Sequence, residues 1–219
     1  MKKLKPLILV RHAEAQHHVQ EITGGWSDTD LTERGRRQTS LLAERLKSEL
    51  SGVAIHLASS DLKRSVQTVS ILGGSLGVKP EIYPQLRDLN NGVAAGKTHA
   101  EAKAIAVKPT EPIVDWHPYP QSESWRQFFN RISKFLTEYT CRQEQSPAQA
   151  ALLVTHSAAI HVIIDWWLGI GIDSPTHFEI SPSSLTVLTT NRWNERTIER
   201  LNDTAHLYAH GMPDKIQLF

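Results

Sequence analysis

Five residues stand out for the chemistry their types allow: Arg11, His12, Arg64, Asp88 and His156. Arg11 and His12 end an apolar run, Leu7 to Val10, and His156 ends a second one, Ala150 to Thr155. Side chains that do not belong in a core, set at the end of a buried strand, are how a sheet delivers chemistry to its carboxyl edge. A guanidinium offers a planar fork of donors to an oxyanion, and imidazole serves as nucleophile, acid or base near neutral pH. Two arginines and two histidines together suit a dianionic phosphoryl group, held by charge-assisted hydrogen bonds. A neutral imidazole nitrogen can attack phosphorus, and a carboxylic acid such as Asp88 can protonate the departing alkoxide. With guanidinium groups supplying the electrostatic stabilisation, no metal and no cofactor are required. Taken singly, Arg64 reads as a solvated helix arginine and Arg11-His12 as a surface pair, so the elements that position them decide between the two readings.

Those elements follow from periodicity. Thr32 predicts an N-cap, with Leu42, Leu46 and Leu50 along one face of a helix ending near Gly52. Val53 to Ala58 reads as a buried strand, and Ser59-Ser60 as caps of a helix from Asp61 to about Leu72, stopped by Gly73, Gly74 and Gly77. Gly35 near the first helix start suggests close packing or proximity to phosphate, against the plainer reading of a tolerated helix defect. The line Trp125, Phe128, Phe129, Ile132, Phe135, Leu136, Tyr139 has helical spacing and belongs in a core. Ser157 opens a helix through Leu168, and Leu185 to Thr190 and Thr197 to Leu201 alternate as half-exposed or edge strands. The polar loop 13–30, with Gly24 and Gly25, is long enough to wall a site. Residues 91–121 form a loop-rich insertion with a short helix near Thr98 to Val107, and 203–219 lacks periodicity.

At 219 residues, with Lys plus Arg (24) balancing Asp plus Glu (23), the chain fits a single domain, 1–219. It carries no global field to recruit nucleic acid or a membrane surface. A single cysteine, Cys141, and an N-terminus without a long apolar region point to the cytoplasm. Nothing fixes the oligomeric state, and a homodimer stays open.

The ordered motifs resemble the histidine phosphatase (phosphoglycerate mutase-like) superfamily. Its R-H-G-E-T signature appears as Arg11-His12-Ala13-Glu14-Ala15. The G-W-x-D-x-x-L-T-x-x-G-x-x-Q pattern is met by Gly25, Trp26, Asp28, Leu31, Thr32, Gly35 and Gln38, and S-x-L-x-R-x-x-Q-T by Ser60, Leu62, Arg64, Gln67 and Thr68. Leu86-Arg87-Asp88, Thr155-His156-Ser157 and the closing 201–207 complete a set spanning nearly the whole chain. The resemblance implies an α/β fold, a three-layer α/β/α sandwich with a largely parallel, mixed central sheet. It further implies a phosphohistidine on His12, phosphoryl oxygens held by Arg11, Arg64 and His156, and Asp88 as proton donor. Gly24, Gly25 and Ser157 would border the substrate, a small phosphorylated metabolite.

The chain departs from the family pattern in five places. Ala13 and Ser157 replace glycines, and Ala15 removes a hydroxyl. His18 stands where an asparagine is usual, either adding charge to the pocket or remaining a loop histidine. Asp88 is one methylene shorter than the usual glutamate. Mutases of this kind carry a longer, arginine-rich insertion, whereas residues 89–121 contain no arginine, which favours a phosphatase. Two rivals are a regulatory or binding member with Asp88 too short to act, and a metallohydrolase built on His17-His18, against which these are read as surface histidines. Asn90, Asn91, Trp116, His117 and Tyr119 are candidate substrate contacts, and Glu14 and Glu123 are the next carboxylates to consider as acid.

Overall fold

A computed structural model describes residues 4–212, so the first three residues and 213–219 of the aperiodic tail lie outside the described residues. Six strands form one sheet in the order β3-β2-β4-β1-β5-β6: β1 (Leu7–Arg11), β2 (Ile55–Ser59), β3 (Glu81–Ile82), β4 (Ala150–Thr155), β5 (Leu185–Thr190) and β6 (Arg196–Asp203). β1, β2, β3 and β4 run parallel, while β5 is antiparallel to both of its neighbours. The sheet is therefore largely parallel and mixed, as the resemblance implies.

Alternation along the central strands builds two cores. Leu7 and Leu9 of β1, with Ala151 and Leu153 of β4, face α5 (Trp125–Gln143) and α6 (Ser157–Leu168). Ile8, Val10, Leu152 and Val154 face the other way, toward α2 (Glu33–Glu49) and α3 (Lys63–Leu76). Burial on both faces is what continuous apolar runs signify, and it fixes their register, since a slip by one residue would exchange the two sets. Short helices α1 (Gln16–Val19), α4 (His99–Ala104) and α7 (Ala205–Tyr208) decorate the loops.

Three expectations need correction. Gly73 and Gly74 do not stop α3, which continues to Leu76 and ends at Gly77 in the left-handed conformation, φ 68°. The Gly73 position instead lets the Val78 carbonyl approach, 2.7 Å from where a Cβ would stand. Ser60 caps through its hydroxyl, accepting from Leu62 N–H at 3.3 Å, but the N-cap residue is Leu62. The helix of the insertion is shorter than expected, starting at the Thr98 cap, whose hydroxyl accepts from the Glu101 amide.

Gly35 settles as close packing. A Cβ there would lie 2.0 Å from the Glu14 carbonyl oxygen, so α2 presses against the backbone that follows His12. Gly74, also helical, has nothing within 4 Å of its Cβ position. The two glycines should thus respond oppositely to alanine. Gly74→Ala gains helix propensity worth about 1 kcal/mol and should raise Tm by roughly 2–4 °C. Gly35→Ala must displace backbone and should lower Tm by at least about 5 °C, both read by thermal denaturation.

Candidate active site

Strand register brings the two histidines together. β1 and β4 pair in parallel with Arg11 opposite Thr155, and the ladder runs one step further as His12 N–H donates to the Thr155 carbonyl at 2.9 Å. His12 and His156 therefore leave adjacent strands side by side, with ring centroids 5.0 Å apart. β2 ends beside them, the Ser60 amide donating to the Val154 carbonyl at 3.1 Å, so the start of α3 and Arg64 reach the same point.

The hydrogen bonds of His12 fix its tautomer. Nδ1 lies 2.8 Å from the Ala13 carbonyl, which can only accept, so Nδ1 carries the proton. Nε2 is left with its lone pair and accepts from Arg64 Nε at 3.0 Å. Burial first, then the neighbouring charge of Arg64, hold His12 well below the ordinary histidine range. The ring is neutral at physiological pH, as a nucleophile must be.

Arg64 is not a solvated helix arginine. It is fully buried, with Nη1 donating to the Ser27 carbonyl at 2.5 Å and Nη2 to the Gly25 carbonyl at 2.7 Å. Burial pulls its pKa down to about 10, an effect opposed by the Asp88 carboxylate, and it remains a cation at neutral pH. Gly24 and Gly25 thus serve the site through their carbonyls: Gly25 on Arg64, and Gly24 accepting from Asn91 Nδ2 at 3.2 Å.

Arg11 and His18 form a second donor pair. Arg11 Nη1 donates to the Ile180 carbonyl at 2.5 Å, while Nη2 lies 2.9 Å from His18 Nε2. His18 Nδ1 accepts from the Ala15 amide at 3.0 Å, so in the neutral ring the proton sits on Nε2 and faces the guanidinium. Two donors in contact call for a shared acceptor, and an oxyanion supplies it. His17 is buried as well, its Nδ1 2.9 Å from Thr29 Oγ1. The surface reading of the His17-His18 pair is therefore overturned. Burial is the main cause that takes His17 down to about 3 and His18 to about 2.

His12, His17 and His18 bring ligand atoms within 4.8 Å of one another, the geometry of a candidate metal cluster. Two of these rings have lone pairs engaged, His12 Nε2 by Arg64 and His18 Nδ1 by a backbone amide, and Arg11 lies against the other nitrogen of His18. Guanidinium groups at hydrogen-bond distance oppose a divalent ion and favour an anion such as phosphate.

His156 is fully buried, with Nε2 3.0 Å from Ser60 Oγ and 3.4 Å from Ser65 Oγ. Its Nδ1 is buried with no hydrogen-bond partner among the described residues. Ser157 is the first residue of α6, half-buried behind the His156 N-cap.

Asp88 has one carboxylate oxygen left unsatisfied, while the Leu89 amide bonds the carboxylate. Its Oδ1 is buried without a partner among the described residues, and burial raises its pKa against the opposing pull of Arg64. Its backbone, by contrast, is held twice: the carbonyl accepts from Trp26 Nε1 and from Arg131 Nη2, each at 2.9 Å. Arg131 is itself clamped by Glu123, at 2.7 Å and 2.8 Å, and Glu123 also receives the Asn90 amide. Glu14 is similarly engaged, by Thr32 Oγ1 at 2.6 Å and Arg34 at 2.7 Å. Both alternative acids are thus tied into paired networks.

Sequence reasoning missed Arg131, hidden on an amphipathic helix read for its aromatic line. The only available signal was a lone arginine eight residues after Glu123. Of the candidate contacts at 116–119, Trp116 Nε1 donates to the Val107 carbonyl and His117 Nδ1 bonds that of Ser122. Asn91 bridges loops, its Oδ1 accepting the Trp26 amide at 3.0 Å.

Comparison with known proteins agrees with this geometry. The family model described as histidine phosphatase superfamily (branch 1) matches residues 7–204. "Probable phosphoglycerate mutase GpmB" of Proteus mirabilis is 30% identical over 91% of this chain and 93% of its own length. "Putative phosphoserine phosphatase 2" of Hydrogenobacter thermophilus is 30% identical over 84% of this chain and 88% of its own. Among solved structures, the alpha-ribazole phosphatase of Shigella flexneri superposes with a TM-score of 0.76 at 22% identity, covering 91% of this chain and 96% of its own. At that identity the likeness establishes the three-layer fold, while the family model and the sequence relatives establish the family. The chain belongs to the histidine phosphatase superfamily, branch 1.

Proposed function

We propose that the protein is a metal-independent phosphomonoesterase acting on a small phosphorylated metabolite through a phosphohistidine on His12. The observation that carries this reading is the protonation pattern of the pocket. A neutral His12 presents a lone pair on Nε2, and the Asp88 carboxyl, biased by burial toward its protonated form, has its buried Oδ1 without a partner among the described residues. In the first half-reaction Nε2 attacks phosphorus, the P–O bond to the alcohol breaks, and Asp88 delivers its proton to the departing oxygen. In the second, water loses a proton to Asp88 and attacks the phosphohistidine, the P–N bond breaks, and inorganic phosphate leaves. Arg11 and Arg64 neutralise the phosphoryl oxygens throughout while the neutral rings of His18 and His156 hydrogen-bond to them, and a bound phosphoryl group gives the Arg64 Nε proton an acceptor other than the nucleophile. Hydrolysis is favoured over mutase transfer because residues 89–121, which border the acid, supply no arginine to retain a phosphorylated product. The relative named as a phosphoserine phosphatase is consistent with that choice.

Replacing the nucleophile should cost several orders of magnitude. His12→Ala should lose at least about 10³-fold in kcat/KM, and the parent should trap an acid-labile phosphate on His12 by mass spectrometry after rapid mixing with substrate. Turnover within a few-fold of the parent would remove His12 from the mechanism.

Leaving groups separate the acid from the rest of the site. Asp88→Asn should depress alkyl phosphate turnover by roughly 10²-fold, but nitrophenyl phosphate much less, because nitrophenolate departs without a proton. Equal, small losses on both substrates would exclude Asp88.

The neutral histidines also make stability depend on pH. His17 near 3 and His18 near 2 lie below the ordinary 6.5, so below pH 6.5 the unfolded chain binds protons that the folded one refuses. Stability is then full above about pH 6.5 and falls as the pH drops toward those folded values. Tm measured from pH 7 to 5 should decrease, and inorganic phosphate, whose charge favours the protonated rings, should flatten the decrease. A Tm insensitive to phosphate across that range would contradict an anion pocket at His18.

A further inference from the structure

A second cavity, of about 490 Å³, lies along α6 between the turn Ile113–Asp115 and the loop 172–177. None of the phosphoryl-pocket residues lines it. Ala158, His161 and Asp165 form one stripe of α6, spaced three and four residues apart, while Ile160, Ile163, Ile164 and Trp167 pack into the core. His161 and Asp165 are buried, at 4% and 3% exposure, which is unusual for polar residues unless they are paired.

Their pairing is incomplete in a specific way. His161 Nδ1 accepts from the Phe178 amide at 3.2 Å, so the neutral ring carries its proton on Nε2 and donates to Asp165 Oδ2 at 3.1 Å. Asp165 lines the same cavity, and its Oδ1 is buried with no hydrogen-bond partner among the described residues. An acceptor oxygen of this kind is costly to leave unmet, and only a donor can satisfy it. The cavity also presents the Trp125 ring, set edge-on to His161 at 5.6 Å, and apolar walls from Ile113, Val114, Ile172 and Pro175.

Charge narrows the occupant. A second carboxylate, Asp173, lines the cavity, and no lysine or arginine does. The nearby Arg126 is held by Asp115 at 2.6 Å. This is the opposite polarity to the catalytic pocket, with its two guanidinium groups, so the two sites cannot take the same ligand group. His177, which also lines the cavity, is paired with Glu179 at 3.4 Å. A carboxylate beside an aromatic face, with no lysine or arginine in the lining, suits an ammonium group through an ion pair and cation–π attraction.

We propose that this cavity is a second binding site, separate from the phosphoryl pocket, for a small organic cation whose ammonium group pairs with the Asp165 carboxylate while its carbon frame lies against Trp125 and Ile172. Benzylammonium and its neutral counterpart benzyl alcohol are the probes, titrated at millimolar concentration and followed by amide and indole NMR shifts. The expected result is saturable shifts at the Trp125 indole and at Ser174 and Thr176, with the cation bound at least about tenfold more tightly than the alcohol. Asp165→Asn keeps the side-chain shape and should erase that preference. Should this variant fail to fold, Asp173→Asn at the cavity rim should weaken the cation roughly twofold without affecting the alcohol. The proposal is overturned if the alcohol binds as well as the cation, if shifts fall on the phosphoryl pocket instead, or if the folded variants bind the cation unchanged.

Discussion

A guanidinium buried out of water governs this molecule. Arg64 has lost its hydration, and a charge in that position persists only if the protein replaces the water with acceptors. The replacements are the carbonyls of Gly25 and Ser27 and the lone pair of His12. Each imposes a shape on another part of the chain. The first two force the loop after α1 to fold inward, with Gly25 at φ 57° and the Asn91 side chain where its Cβ would be. The third dictates which imidazole nitrogen of His12 is bare. The cation therefore lies directly beside the bare nitrogen of His12.

Much of this was legible in the sequence, for a physical reason. Apolar runs buried on both faces have one stable placement, and a polar residue that ends such a run can only be at the strand terminus. His12 and His156 were readable on that basis, and their proximity followed once β1 and β4 paired in register. The helix faces led by Leu42 and Phe128 were equally plain, because their period of burial is a property of the local chain.

What escaped was whatever depends on contacts between distant polar groups. His17 and His18 sit in a polar stretch with no periodicity, so burial there left no local trace. Arg131 serves the site from an ordinary helical position, and its role exists only because α5 passes beneath the Asp88 carbonyl. Gly73 and Gly74 misled in the opposite direction. Local propensity marks them as breakers, yet the helix runs through both, with Gly73 closely approached by Leu57 and the Val78 carbonyl. The insertion remained opaque because its ring nitrogens bond its own backbone, a pattern that composition does not encode.

The double grip on the Asp88 carbonyl bears on how such a scaffold diversifies. Trp26 and Arg131 seize the chain at the root of the long excursion that follows, and Asn90 and Asn91 extend the grip by two residues. From 93 to 99 the chain stays tied to the loop 21–27, through Thr23, Ser27 and the bridge of Ile22 with Thr98, so the excursion is anchored well past its stem. Changes of length or composition beyond residue 99 therefore leave the bonds that hold the Asp88 backbone untouched.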